Sequence, residues 1–99
     1  MASTFHFEAE LWENGGAGSW VFVGLPADIA DEIAEIAPAR SGFGSIRVEV
    51  RVGTVEWMTS LFPDKAARTY VLPVKKVVRE RANIQAGDSV EFVVRVVED

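Results

Sequence analysis

The chain has 99 residues, 48% of them apolar and 25% charged, with a formal net charge of −5, which fits one folded domain with roughly two thirds of its surface buried and argues against a disordered segment. It contains no cysteine, which excludes disulfides, thiolate metal sites, iron–sulfur centres and cysteine nucleophiles. No apolar run approaches the roughly eighteen residues of a membrane span, and Met1-Ala-Ser-Thr4 leads into strand sequence without a basic or apolar leader, so a soluble cytoplasmic protein with no membrane partner is expected.

Phe5, Phe7, Ala9 and Leu11 alternate with His6, Glu8, Glu10 and Trp12, the period of two that belongs to a strand with one face in a core. Asn14-Gly-Gly-Ala-Gly18 is a hairpin connection to Trp20-Val-Phe-Val23. As a phosphate loop it lacks the lysine and Ser/Thr of a Walker sequence. Pro26 opens a helix in which Ile29, Ile33 and Ile36 recur at helical spacing among Asp28, Asp31, Glu32 and Glu35. Early acids suit its positive end, and Pro38 stops it near Ala37. Those carboxylates form a solvated face, because their spacing is that of no calcium loop.

Arg40 to Gly44 is expected to be a loop or a strand entry, after which Ile46, Val48, Val50 and Val52 alternate with Arg47, Glu49 and Arg51 as a strand with cross-strand charge pairs. Gly53-Thr54 is a tight turn into a strand with Val55, Trp57 and Thr59 on one face and Glu56, Met58 and Ser60 on the other. That strand is expected to end at Leu61-Phe-Pro63, with Asp64 to Ala67 a connection or a short helical turn and Arg68 to Leu72 the next strand. Pro73 is expected to be the first residue of a short helix whose stripe is Val74, Val77 and Val78, with Lys75, Lys76 and Arg79 beside it. Asn83 to Asp88 is a turn, and Val90, Phe92, Val94 and Val96 make a last strand covered partly on both faces by Val93 and Val97.

Charge is unevenly placed along these elements. Met1 to Glu35 holds seven carboxylates and no lysine or arginine, whereas Lys65 to Arg81 holds six of the ten basic side chains against one acid, Glu80. Such asymmetry orients encounters with a charged partner, while the net acidity disfavours nonspecific coating of nucleic acid.

Together, Phe7-Glu-Ala-Glu-Leu11, Trp20-Val-Phe-Val23 with Leu25-Pro26, Ile46-Arg-Val-Glu-Val50 before Gly53, Trp57 to Pro63, Tyr70-Val-Leu-Pro-Val-Lys-Lys76 with Arg79, and Gly87-Asp-Ser-Val90 resemble the bacterial and archaeal family called Domain of Unknown Function 1905. The resemblance spans Phe5 to about Val97. It implies a mainly β fold, a small double-split β-barrel with two short helices formed by residues 1–99 as one domain. That topology is shared at fold level with AbrB-type regulators and MazE-type antitoxins. In other proteins a similar domain precedes a YdeI/OmpD-associated domain, which these residues do not contain. The turn at Gly53 is shorter than the double-glycine hairpin associated with the family. The resemblance transfers no catalytic residue.

Candidate sites follow from the residue types. His6 is the sole histidine, and Ser60 lacks the glycine-flanked elbow of a serine nucleophile, so no catalytic set, metal or cofactor is assigned. Glu8 and Glu10 share a strand face roughly 7 Å apart, a separation common in any acidic strand. The basic set is more specific: Lys75, Lys76 and Arg79 on the short helix with Arg68 on the preceding strand are expected to grip a carboxylate or phosphate. Trp57, Phe62 and Tyr70 would wall the same mouth, and Ser60 adds a hydroxyl. A plain solvated helix face is the competing reading of those cations. The expected function is therefore a noncatalytic ligand-binding or protein-interaction module recognising an anionic group. A dimeric nucleic-acid-binding, regulator-like domain is the second reading and an enzyme the third. Exposed strand edges make a homodimer an expectation as well.

Overall fold

The computed structural model describes residues 4–15, 20–36 and 44–97. Seven strands and two helices follow one another along the chain: β1 (Thr4–Glu10), β2 (Trp12–Asn14), β3 (Trp20–Gly24), α1 (Ala27–Ile36), β4 (Ile46–Val52), β5 (Val55–Asp64), β6 (Thr69–Pro73), α2 (Lys76–Ala82) and β7 (Ser89–Val96). The strands are antiparallel in the order β1-β7-β4-β5-β6-β3-β2.

Two long strands are shared between sheets. β1 and β2 are one stretch interrupted at Leu11: the first half pairs with β7 and the second with β3. Leu11 remains satisfied at the break, its N–H donating to the Asp88 carbonyl at 2.9 Å and its carbonyl accepting from the Gly87 N–H at 2.8 Å. β5 behaves likewise, pairing through Leu61 with β4 and from Phe62 to Asp64 with β6. Because β1 and β2 lie at the two ends of the strand order yet are continuous in the chain, the sheet curls on itself. The result is the mainly β fold with two short helices that the resemblance implies, its seven-strand antiparallel sheet curled into an open half-barrel with both long strands split between its two parts.

Alternation fills the interior. Val48, Val50, Leu61, Phe92 and Val94 are fully buried from one sheet, and Leu11, Val23 and Leu72 from the other, while Ile33 of α1 adds a helical contribution. Phe7 and Phe92 face each other in register with ring centroids 5.7 Å apart. The two-residue turn at Gly53-Thr54 joins Val52 to Val55 with Gly53 at φ 59°, a position at its first centre that a side chain would strain.

Four expectations are corrected. Pro63 does not end its strand, because β5 continues to Asp64; its β4 partner has ended at the Ile46–Leu61 pair and only β6 lies alongside, the edge setting in which proline is tolerated. Pro73 is the last residue of β6 and not the first of α2. It pairs with Phe22, and the Val74 N–H donates to the Val21 carbonyl at 2.8 Å, so the sheet claims this backbone and the helix starts at Lys76. The valine stripe consequently breaks: Val74 and Val78 are buried but Val77 is 58% exposed. Ile36 also points outward, the buried face of α1 being Ala30 and Ile33. The expected connections at Gly16–Gly18 and Arg40–Phe43, and the stop at Pro38, lie outside the described residues.

Candidate functional site

A cleft of about 330 Å³ lies where α1 packs against β6 beside the β5–β6 hairpin. Local bonds fix its walls. The Thr69 hydroxyl donates to the Leu25 carbonyl at 2.8 Å, and the Leu25 N–H donates to the Tyr70 carbonyl at 3.0 Å. These tie the residue pair ahead of α1 to the start of β6. The Ala30 N–H then donates to the Pro26 carbonyl at 2.9 Å, so proline occupies a position whose missing donor costs nothing. On that footing Ala30, Asp31 and Ala34 form one wall of the cleft.

The other wall comes from the hairpin. Asp64 pairs with Thr69, leaving Lys65 to Arg68 as the loop. The Asp64 carboxylate accepts from the Ala67 N–H at 3.3 Å, and the Arg68 N–H donates to the Lys65 carbonyl at 3.3 Å. Arg68 reverses the chain at φ 58°, a left-handed conformation usually given to glycine or asparagine. It is thus a turn residue and not the first residue of the strand, another departure from expectation. Lys65 and Arg68 are exposed, and among the described residues neither joins an ion pair. Tyr70, half-buried, and Pro63 supply apolar surface between them and α1.

Of the residues singled out in the sequence, the cleft brings together Arg68 and Tyr70. Lys75 and Lys76 lie at the far end of β6, five residues of strand away, which at about 3.3 Å per residue places the two cation groups some 20 Å apart. Both lysines are exposed and unpaired among the described residues; Lys76 and Glu80, one helical turn apart, do not form an ion pair. Arg79 is half-buried and turned inward, its Nε donating to the Val74 carbonyl at 3.0 Å. Trp57 packs against the core from β5, with its indole N–H buried and unpartnered among the described residues. Ser60 sits on the outer face opposite Arg47. The outer face also carries His6 of β1, opposite Val93 of β7; β1 and β5 are three strand positions apart, about 14 Å across the sheet, so no hydroxyl–imidazole pair is assembled. Among the described residues no group of three or more histidines or carboxylates is placed to hold a metal.

Sequence reasoning missed Lys65, Asp31 and Asp64 as cleft residues. The signal for the first was its three-residue spacing from Arg68 across two alanines, a hairpin loop presenting both cations on one side. Asp31 had no such signal, because only the docking of α1 decides which of its four carboxylates meets the hairpin.

A second, smaller groove lies on the outer face of the sheet, beside Glu49 and Arg95. These two side chains satisfy each other, with Arg95 Nη2 2.8 Å and Nε 2.9 Å from one Glu49 oxygen. The cross-strand pairing expected for this face is therefore present. No described helix is long and apolar enough to cross a membrane.

No curated protein gives a significant match to this chain. A family model, described as a domain of unknown function (DUF1905), matches residues 7–94, from Phe7 at the stacked pair with Phe92 to Val94 in the middle of β7. With the match covering every element from within β1 to within β7, the cleft and both strand pivots included, the chain belongs to the DUF1905 family.

Proposed function

We propose that this domain is a noncatalytic binding module that takes a small ligand through its anionic group in the cleft between α1 and the β5–β6 hairpin. The observation that carries this reading is the pair of unpaired cations, Lys65 and Arg68, beside half-buried Tyr70. A carboxylate or phosphate can take charge-assisted hydrogen bonds from both, and the guanidinium supplies a planar fork. Asp31 on the opposite wall suits a ligand carrying hydrogen-bond donors at its other end. The methyl groups of Ala30 and Ala34 leave room for an apolar middle.

The charge layout favours a small ligand over a nucleic acid. A phosphate backbone needs a track of cations, whereas here the basic groups stand at opposite ends of β6. Titration with inorganic phosphate, acetate and a zwitterionic amino acid, followed through backbone amide NMR shifts, tests the proposal. Saturable shifts centred on Lys65, Arg68, Thr69 and Tyr70 are expected for at least one probe. Shifts confined to α2, or none up to about 10 mM, the range of affinity near −3 to −4 kcal/mol, would overturn it.

A further inference from the structure

Away from the cleft, the outer face of β2, β3 and β6 carries an apolar surface. The alternation that buries Val21, Val23 and Leu72 turns Trp12, Trp20, Phe22 and Val71 outward. Register sets Trp12 beside Phe22, Phe22 beside Pro73, and Val71 beside Phe62 of β5. The rings of Trp12 and Trp20 lie 5.2 and 6.3 Å from that of Phe22, so the aromatics brace one another. Yet Trp20 is 61% exposed, Phe62 45% and Trp12 42%. Those three side chains present on the order of 300–400 Å² of apolar surface to water. That is the size at which a patch becomes functional, and nearly half of the roughly 800 Å² each partner contributes to a standard interface.

The charges flanking the rings differ at the two diagonal corners. Glu10 precedes Trp12 by two residues and shares its outward direction. Beyond it Glu8 stands directly opposite Glu91 across the β1–β7 ladder, a like-charge pair the single chain leaves uncompensated. At the other corner the register runs from Phe22–Pro73 through the bond from the Val74 N–H to the Val21 carbonyl, which brings Lys75 level with Trp20. β2 and β6 both run antiparallel to β3, and so in the same direction. The acidic corner therefore lies before Trp12 and the cationic one beyond Pro73. Glu8, Glu10, Glu91 and Lys75 form no ion pairs among the described residues.

We infer that this face binds a second copy of the same chain. A patch bordered by one sign of charge would call for a different protein, but one acidic and one basic corner across an aromatic centre are self-complementary. A twofold axis lying in the interface between the corners seats the rings against each other and sets Glu10 of each copy against Lys75 of the other. The pairing is separate from the cleft and needs no ligand.

Sedimentation equilibrium of the whole chain from about 1 µM to about 1 mM tests the inference. A reversible monomer–dimer equilibrium is expected, with Trp20→Glu monomeric throughout. Glu10→Lys and Lys75→Glu, both at exposed positions that leave the fold intact, should each weaken dimerisation roughly three- to tenfold, and the double exchange should restore most of it. A wild-type chain that stays monomeric at the top concentration would overturn the inference and leave the face to another partner. So would a dimer indifferent to Trp20→Glu, or a charge exchange whose double variant is as weak as the two single losses combined.

Discussion

Leu11 and Leu61 occupy matching pivots: each marks the point where a long strand leaves one sheet for the other, and each is fully buried. Their side chains fill the space from which the two sheets diverge, where the backbone has little freedom to close a void. Leu11→Ala and Leu61→Ala should each cost about 3–5 kcal/mol, the upper part of the range for buried leucines. Urea unfolding checks this. A loss below about 1.5 kcal/mol at both positions would mean that the pivots relax freely.

Arg79 belongs to the fold more than to recognition. Its Nε bond to the Val74 carbonyl fastens α2 to the backbone leaving β6, so Arg79→Met, which keeps most of the stem, should lower stability by about 1 kcal/mol. Phosphate or acetate shifts at the hairpin should be unchanged in this variant. Loss of ligand response without loss of stability would instead make Arg79 a recognition residue.

Arg68 separates backbone strain from charge. At φ 58° an L side chain carries a conformational cost that glycine escapes. Arg68→Gly should therefore be more stable than Arg68→Ala by about 0.5–1 kcal/mol, while both lose ligand affinity alike. Equal stability of the two variants in thermal or urea unfolding would show that the hairpin relaxes out of the left-handed conformation.

Glu49 and Arg95 form an ion pair whose side chains remain partly exposed, at 37% and 50%. Solvent screening limits its worth: a double-mutant cycle through Glu49→Gln and Arg95→Met should give a coupling of about 0.5 kcal/mol that shrinks with added salt. Coupling above about 2 kcal/mol, or insensitive to salt, would contradict the exposed character of this face.

The strands were legible in the sequence because period-two alternation is a local property. Ile46 to Val52, the Gly53 turn and Val90 to Val96 needed only their own neighbours to be read. Proline was misleading twice, at Pro63 and Pro73. Its local preference for strand ends and helix starts was overruled by which strand happened to lie alongside, and that depends on residues far away, such as Phe22 and Tyr70. Lys75 and Lys76 follow Arg68 closely in the chain, but the extended β6 carries them to its opposite end. Nor does Lys65-Ala-Ala-Arg68 contain the glycine or asparagine that would have marked a left-handed turn. Trp12 was readable as outward from its alternation, but its ring contact with Phe22, which Phe22 also makes with Trp20, required the strand register.

The most direct test of the cleft compares phosphate and acetate affinity in two double variants, Lys65→Ala/Arg68→Ala and Lys75→Ala/Lys76→Ala, by calorimetry or NMR titration. Removing the hairpin cations should weaken the better-binding anion at least tenfold, about 1.4 kcal/mol, whereas removing the α2 cations should change it less than about twofold. The reverse pattern, or equal small losses from both, would contradict a binding site between α1 and the β5–β6 hairpin.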